Sequence, residues 1–203
     1  MTTVTVVRKA GRIAIAADTL TKWGGGKESA AYVANHEKII RVGDSLVAIT
    51  GSATMKLILA DYFSGLDAPP SLDSVANIFG VWNTLHAALK EQYYLQPGED
   101  KDDELESSRM DVLIANPRGI FGVAAHRTVQ EFTKFYAYGS GSPYALGAMY
   151  AAYRAPSLDA EAVARLGVMA AAEFHDESGL PVQSVRTLSR RREIMQRLAR
   201  LRA

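Results

Sequence analysis

A threonine directly behind Met1, an aspartate at position 18, a lysine at position 38 and a glycine at position 51 make a set that could transfer an acyl group. Loss of Met1, expected before a small residue, would leave Thr2 with both a hydroxyl and a free α-amine. That amine has an unperturbed pKa of about 8, low enough to act as a base near neutrality. A threonine working with its own terminal amine is an accepted variant of the nucleophile–base pairing. It needs a cation to hold the amine pKa down, a carboxylate to place that cation, and backbone N–H groups to receive an oxyanion. Asp18, closing the apolar run "IAIAADT", can supply the carboxylate. Lys38, opening "KIIRV", can supply the cation, and the amide of Gly51 the oxyanion donor. Each has a plainer reading. Thr2 suits the start of a strand, and Asp18 with Lys38 makes sense as a structural ion pair.

The elements that must carry these residues can be read from the pattern. Val4 to Arg8 and Arg12 to Asp18 are β-branched runs around Lys9-Ala10-Gly11, a hairpin with glycine at its turn. "WGGGKES" (Trp23 to Ser29) reads as a loop, and Lys38 to Val42 with Ser45 to Thr50 as a second strand pair. Ser52 offers a cap to a helix over "ATMKLILADYF". Pro69-Pro70-Ser71 opens a second helix, with Leu72, Val75, Phe79, Trp82 and Leu89 at helical spacing. Asp111 to Asn116 and Gly119 to Ala124 predict a third hairpin, and Val129 to Tyr138 one further strand. Ser142 before Pro143 predicts a capped helix start, Ser157 another, and Val182 to Leu188 a final strand. Strands, two helices, strands, two helices and a strand predict an α+β domain with antiparallel sheets covered by helices. One domain over residues 1–203 is expected, with a basic helix at about 189–203.

Other chemistries lack their parts. The 203 residues include no cysteine, so disulfides, thiolate metal sites and cysteine nucleophiles are excluded. His36, His86, His126 and His175 show no metal-ligand spacing, and neither metal nor cofactor is expected. "GGGKE" fails as a phosphate loop, because position 21 is threonine and position 28 glutamate. Ser140, in "YGSGSP", does not sit in a nucleophile elbow. It could simply bond backbone in a glycine turn. Asp102-Asp103, within the acidic stretch Pro97 to Ser108, reads as a solvated loop rather than a catalytic pair. The 23 basic residues balance the 22 acidic ones, so no overall field draws the chain to nucleic acid or membrane. No apolar run is long enough to span a bilayer and no signal peptide is evident, so a cytoplasmic location is expected.

In order along the chain, "TTV", "IAIAADT", "EKIIRVGDSLVAITGSA" and "YAYGSGSPYALGAMYAA" resemble the motifs of proteasome β-type subunits, which are N-terminal nucleophile hydrolases. Each motif is weak alone, but together they cover nearly the whole chain. The resemblance is to the bacterial self-compartmentalising forms. The long acidic loop and basic tail favour the betaproteobacterial proteasome homologue over the two-ring protease that works with an unfoldase ATPase. The resemblance implies a four-layer αββα sandwich and a threonine endopeptidase within a homo-oligomer of stacked rings, acting on peptides or unfolded proteins. An ATPase unfoldase is a further partner it allows. It gives Thr2 the role of nucleophile, Asp18 the buried carboxylate, Lys38 the lysine that tunes the amine, and Gly51 the oxyanion amide. Ser140 matches the serine beside the terminal amine, and Asp176 and Ser178, in "FHDESG", the family's further aspartate and serine. Ile49 and Ala53 would line the main specificity pocket, which predicts apolar residues before the cut. Two rival functions stand beside this one. The first is a catalytically silent scaffold subunit of the ring. The second is nucleic-acid binding through the basic stretch Arg186 to Ala203, which otherwise reads as a helix packed on a neighbouring subunit.

Overall fold

Two consecutive residues with positive φ, Ala10 at 50° and Gly11 at 71°, turn the chain back on itself after its first strand. This is the twist-matched two-residue turn of a tight hairpin. It joins β1 (Thr3–Lys9) to β2 (Arg12–Ala17) with Lys9 facing Arg12. The computed structural model describes residues 2–96 and 104–188. After β2 come the short strands β3 (Thr21–Trp23) and β4 (Gly26–Glu28), then β5 (Ile39–Val42) and β6 (Ser45–Ile49). Helices α1 (Ala53–Ser64) and α2 (Val75–Glu91) follow, then β7 (Val112–Ala115), β8 (Ile120–Val123), β9 (Val129–Phe132) and β10 (Phe135–Gly139). Helices α3 (Ser142–Ala152) and α4 (Ala160–Phe174) precede the last strand, β11 (Gln183–Leu188).

The strands form one four-stranded sheet, β10-β1-β2-β11, one five-stranded sheet, β5-β6-β7-β8-β9, and the separate pair β3-β4. Every pairing among them is antiparallel. Alternation along β1 sends its side chains to two different apolar clusters. Val4 and Val6, with Ile13 and Ile15 of β2, meet Leu46, Ala48, Leu113 and Ile120 of the larger sheet. Val7, Ala14 and Ala16 instead pack under Met149, Val163, Ala164 and Val168 of α3 and α4. On the outer face of the larger sheet, Val47, Ile114 and Phe121 bury Leu59, Ile78, Trp82, Leu85 and Leu89 of α1 and α2. With both faces covered, Val4 to Val7 of β1 and Ile13 to Ala17 of β2 are fully buried, Thr5 among them. Among the described residues no helix is long and apolar enough to cross a membrane.

Several elements depart from the sequence reading. Trp23 to Ser29 is not simply a loop, because Thr21 to Trp23 pairs with Gly26 to Glu28 as a small hairpin. The second helix starts at Val75 rather than at the prolines, with the Ser74 hydroxyl accepting from the amide of Asn77. Its buried stripe runs through Ile78, Trp82, Leu85 and Leu89, whereas Val75 and Phe79 face outward. Val129 to Tyr138 is two strands in different sheets, linked through Thr133 and Lys134. Gly141, not Ser142, caps α3, and Asp159, not Ser157, caps α4 by accepting from the amide of Ala162. Asp102-Asp103 and the basic stretch from residue 189 onward lie outside the described residues.

Candidate active site

The ends of β1, β2 and β6 bring Thr2, Asp18 and Gly51 into one neighbourhood, and β5 begins one residue after Lys38. Asp18 follows the last residue of β2 and is fully buried. A carboxylate there must be saturated with donors, and it is. Oδ1 accepts from the Thr3 amide at 2.9 Å and from Lys38 Nζ at 2.8 Å. Oδ2 accepts from the amides of Leu20 and Gly179, each at 3.1 Å. Lys38 Nζ also donates to the Leu20 carbonyl at 2.6 Å. Burial lowers the Lys38 pKa, the paired Asp18 works against that, and the nearby Lys56 charge adds to the lowering. The backbone of Lys38 is held as well, since Gln183 Oε1 accepts from the amides of Lys38 at 2.9 Å and Ile39 at 3.2 Å.

Thr2 precedes β1 and is nearly buried, at 5% exposure. Its neighbour Thr3 faces Gly139 of β10 in the sheet register, and Thr3 Oγ1 lies 2.6 Å from Ser178 Oγ. The turn that carries Ser178 is fastened beside Asp18, because the amide of Thr19 donates to the Gly179 carbonyl at 3.2 Å. Gly51 takes φ = 99°, a conformation that favours glycine, and a Cβ there would meet the Arg109 carbonyl at 2.6 Å. Thr50, just before it, is locked by donating from its amide to the Asp111 carbonyl at 2.9 Å.

A cleft of about 270 Å³ is lined by Thr2, Lys38, Ile49, Gly51 and Ala53 together with Leu20. A second cavity of about 320 Å³ shares Thr2 and Gly51 and adds Ser140. The Ser140 hydroxyl oxygen is buried with no hydrogen-bond partner among the described residues. The arrangement therefore offers a buried cation fixed by a carboxylate, a glycine turn free to present an amide, and an open wall on either side of Thr2. Asp176 and Ser178 part company. Ser178 is buried against Thr3, while the Asp176 side chain is 72% exposed and pairs with Lys22. Residues that sequence reasoning missed include Thr3, Gln183 and the β3 residues Thr21 to Trp23 along the cleft. Only the paired glycines of "GSG" hinted at a second close approach. A Cβ on Gly139 (φ = 95°) would fall 1.9 Å from the Thr2 carbonyl oxygen. Gly139→Ala is expected to cost roughly 2 kcal/mol or more in urea unfolding and to displace Thr2. Unchanged stability would show that β10 gives way easily.

The fold is one seen in HslV. The solved structure of eukaryotic HslV from Trypanosoma brucei is 16% identical, with a TM-score of 0.63, over 92% of this chain and 99% of that one. Far nearer is Thiobacillus denitrificans BPH, a bacterial proteasome homologue, at 86% identity, a TM-score of 0.89, and coverage of 92% of this chain and 97% of that one. A second structure of that protein, in complex with epoxomicin, matches at 86% identity and a TM-score of 0.88 over 92% of this chain and 98% of that one. No protein-family model matches the chain, and no curated protein does. This chain belongs to the bacterial proteasome homologues.

Proposed function

We propose that this chain is a threonine endopeptidase, cytoplasmic and active inside a ring-shaped homo-oligomer, that cleaves peptides or unfolded proteins. The observation that carries the reading is one carboxylate oxygen of Asp18 shared by the Thr3 amide and Lys38 Nζ. That single atom holds the strand bearing Thr2 and the cation in a fixed relation, beside a cleft that also contains Gly51. Once Met1 is gone, the Thr2 hydroxyl attacks a peptide carbonyl while the terminal amine takes its proton. The Lys38 ammonium keeps that amine neutral enough to serve, and the Gly51 amide receives the oxyanion. The amine then hands its proton to the departing peptide nitrogen, leaving an ester on Thr2 that water hydrolyses. Ser140, with its unpaired hydroxyl, is assigned to the terminal amine. Ser178 aligns Thr3, and Asp176 steadies the cleft wall through Lys22. The two sheets with a helix pair on each outer face support a four-layer αββα sandwich built as a single domain. A closed ring would keep folded proteins away from Thr2.

Support also comes from the relative whose structure holds epoxomicin. The test is intact-protein mass spectrometry with and without that compound. The expected result is a chain lacking Met1 that gains one epoxomicin mass. A chain lacking Met1 that gains no adduct at saturating compound would favour a silent ring scaffold instead. An adduct on a chain that retains Met1 would overturn the amine as base.

A further inference from the structure

Among the described residues Lys22, Lys38, Lys56 and His36 are the titratable side chains lining the cleft beside Thr2, with no aspartate or glutamate beside them. Two of these cations are already matched. Lys38 is paired with Asp18, and Lys22 with Asp176. Lys56 differs. Its Nζ donates to a main-chain carbonyl, that of Asn35, and no described carboxylate lies within ion-pair distance of it. Burial holds its pKa below the ordinary lysine value, opposed at longer range by the charge of Glu37. Lys56 lines the same cleft as Thr2 and Lys38, and its charge helps to lower the Lys38 pKa.

Resting on the protease reading, we infer that this cleft selects a glutamate side chain before the cut, with Lys56 as the specificity-determining residue. Lys56 follows Ala53 by three positions on α1, so both sit on one helix face and form one wall. Ile49, Ala53 and Leu20 offer apolar surface to the methylenes of an incoming side chain, and Lys56 lines the same cleft. A partly buried ammonium with one carbonyl acceptor gains more from a carboxylate than from another neutral group. Leucine would fill the apolar part and leave Lys56 unserved. Lysine or arginine would bring like charge into a space that already holds three ammonium groups. The apolar preference expected from Ile49 and Ala53 thus becomes a preference for a side chain with an apolar stem and an anionic tip.

Fluorogenic peptides that differ only in the residue before the cut, Glu, Gln or Lys, test this. The Glu peptide is expected to exceed the Gln peptide about tenfold in kcat/KM, and the Lys peptide to fall below both. In Lys56→Met the Glu-to-Gln ratio should fall to about one, and in Lys56→Glu the Lys peptide should overtake the Glu peptide. A wild-type ratio of one or less, or a ratio that survives Lys56→Met, overturns the inference. Fluorescence anisotropy with Thr2→Ala and product-like peptides ending in Glu or Gln reads the same selectivity without turnover. Selective binding by that variant beside a wild type that cuts nothing would uphold the cleft chemistry and sink the protease reading. Turnover of the Gln and Lys peptides with no gain for Glu would do the reverse.

Discussion

Thr2→Ala is expected to keep the wild-type fold and lose hydrolysis of short peptides by on the order of 10⁴-fold or more. The fold should survive because Thr2 precedes β1 and this end is anchored through Thr3, whose amide donates to Asp18 and whose hydroxyl meets Ser178. Activity should not survive, because no other hydroxyl sits on the residue that carries the terminal amine, and Ser140, unpaired among the described residues, has no base of its own. Thr3 Oγ1 is engaged with Ser178, and Thr50 Oγ1 donates to the Asp111 carbonyl at 3.0 Å. Thr2→Ser retains a hydroxyl next to the amine and should keep part of the acyl transfer, without the methyl that restricts χ1. Steady-state kinetics on both variants, with circular dichroism as a fold control, decides the matter. Wild-type turnover in Thr2→Ala would make Thr2 nothing more than the residue ahead of a strand.

Asp18→Ala should be the most destabilising single change at the site, by about 3–5 kcal/mol. It removes the acceptor for three backbone amides and leaves the Lys38 ammonium buried without its counter-ion. Adding Lys38→Met should recover part of the loss, since no lone charge then remains. Urea unfolding of the two single variants and the double variant measures that coupling, and strictly additive losses would show that the two side chains do not depend on each other. The same pair sets a pH dependence. The folded Lys38 pKa lies below the ordinary value of 10.5, so within that window the unfolded chain holds the extra proton. Stability from this group therefore rises with pH through the window, and its cost is fully present below the folded pKa. Lys38→Met should flatten that rise.

Most of the candidate site was legible because its members end or begin strongly patterned strands. Asp18 closes a buried run, Lys38 opens another, and Gly51 stands between a strand and a capped helix. The strands around them alternate or run apolar in ways that only a sheet explains. What escaped was whatever depends on distant segments meeting. Gln183 clasps the backbone of Lys38 from 145 residues away, and nothing local marks a glutamine for that task. Asp176 and Ser178 sit two apart on a turn, so their side chains need not share a direction, and only the structure separates them. Trp23 to Ser29 hid a hairpin because its three glycines signal a turn more strongly than Thr21 and Lys22 signal strand. The helix starts slipped for a local reason, because serines at 71, 142 and 157 suit caps as well as the residues that fill those places, Ser74, Gly141 and Asp159.

The first strand of the chain lies inside its sheet, between the second strand and the tenth. Thr3 faces Gly139 across that sheet and touches Ser178, a partner 175 residues further along. Contacts of such long separation close late, after the local hairpins and helices that make them affordable in entropy. During synthesis the N-terminal strand therefore pairs early with β2 but meets β10 and the Ser178 turn only late. A nascent chain that has not yet reached position 178 has no hydroxyl with which to hold Thr3. On the protease reading proposed above, the site is thus completed only once the turn carrying Ser178 has been made.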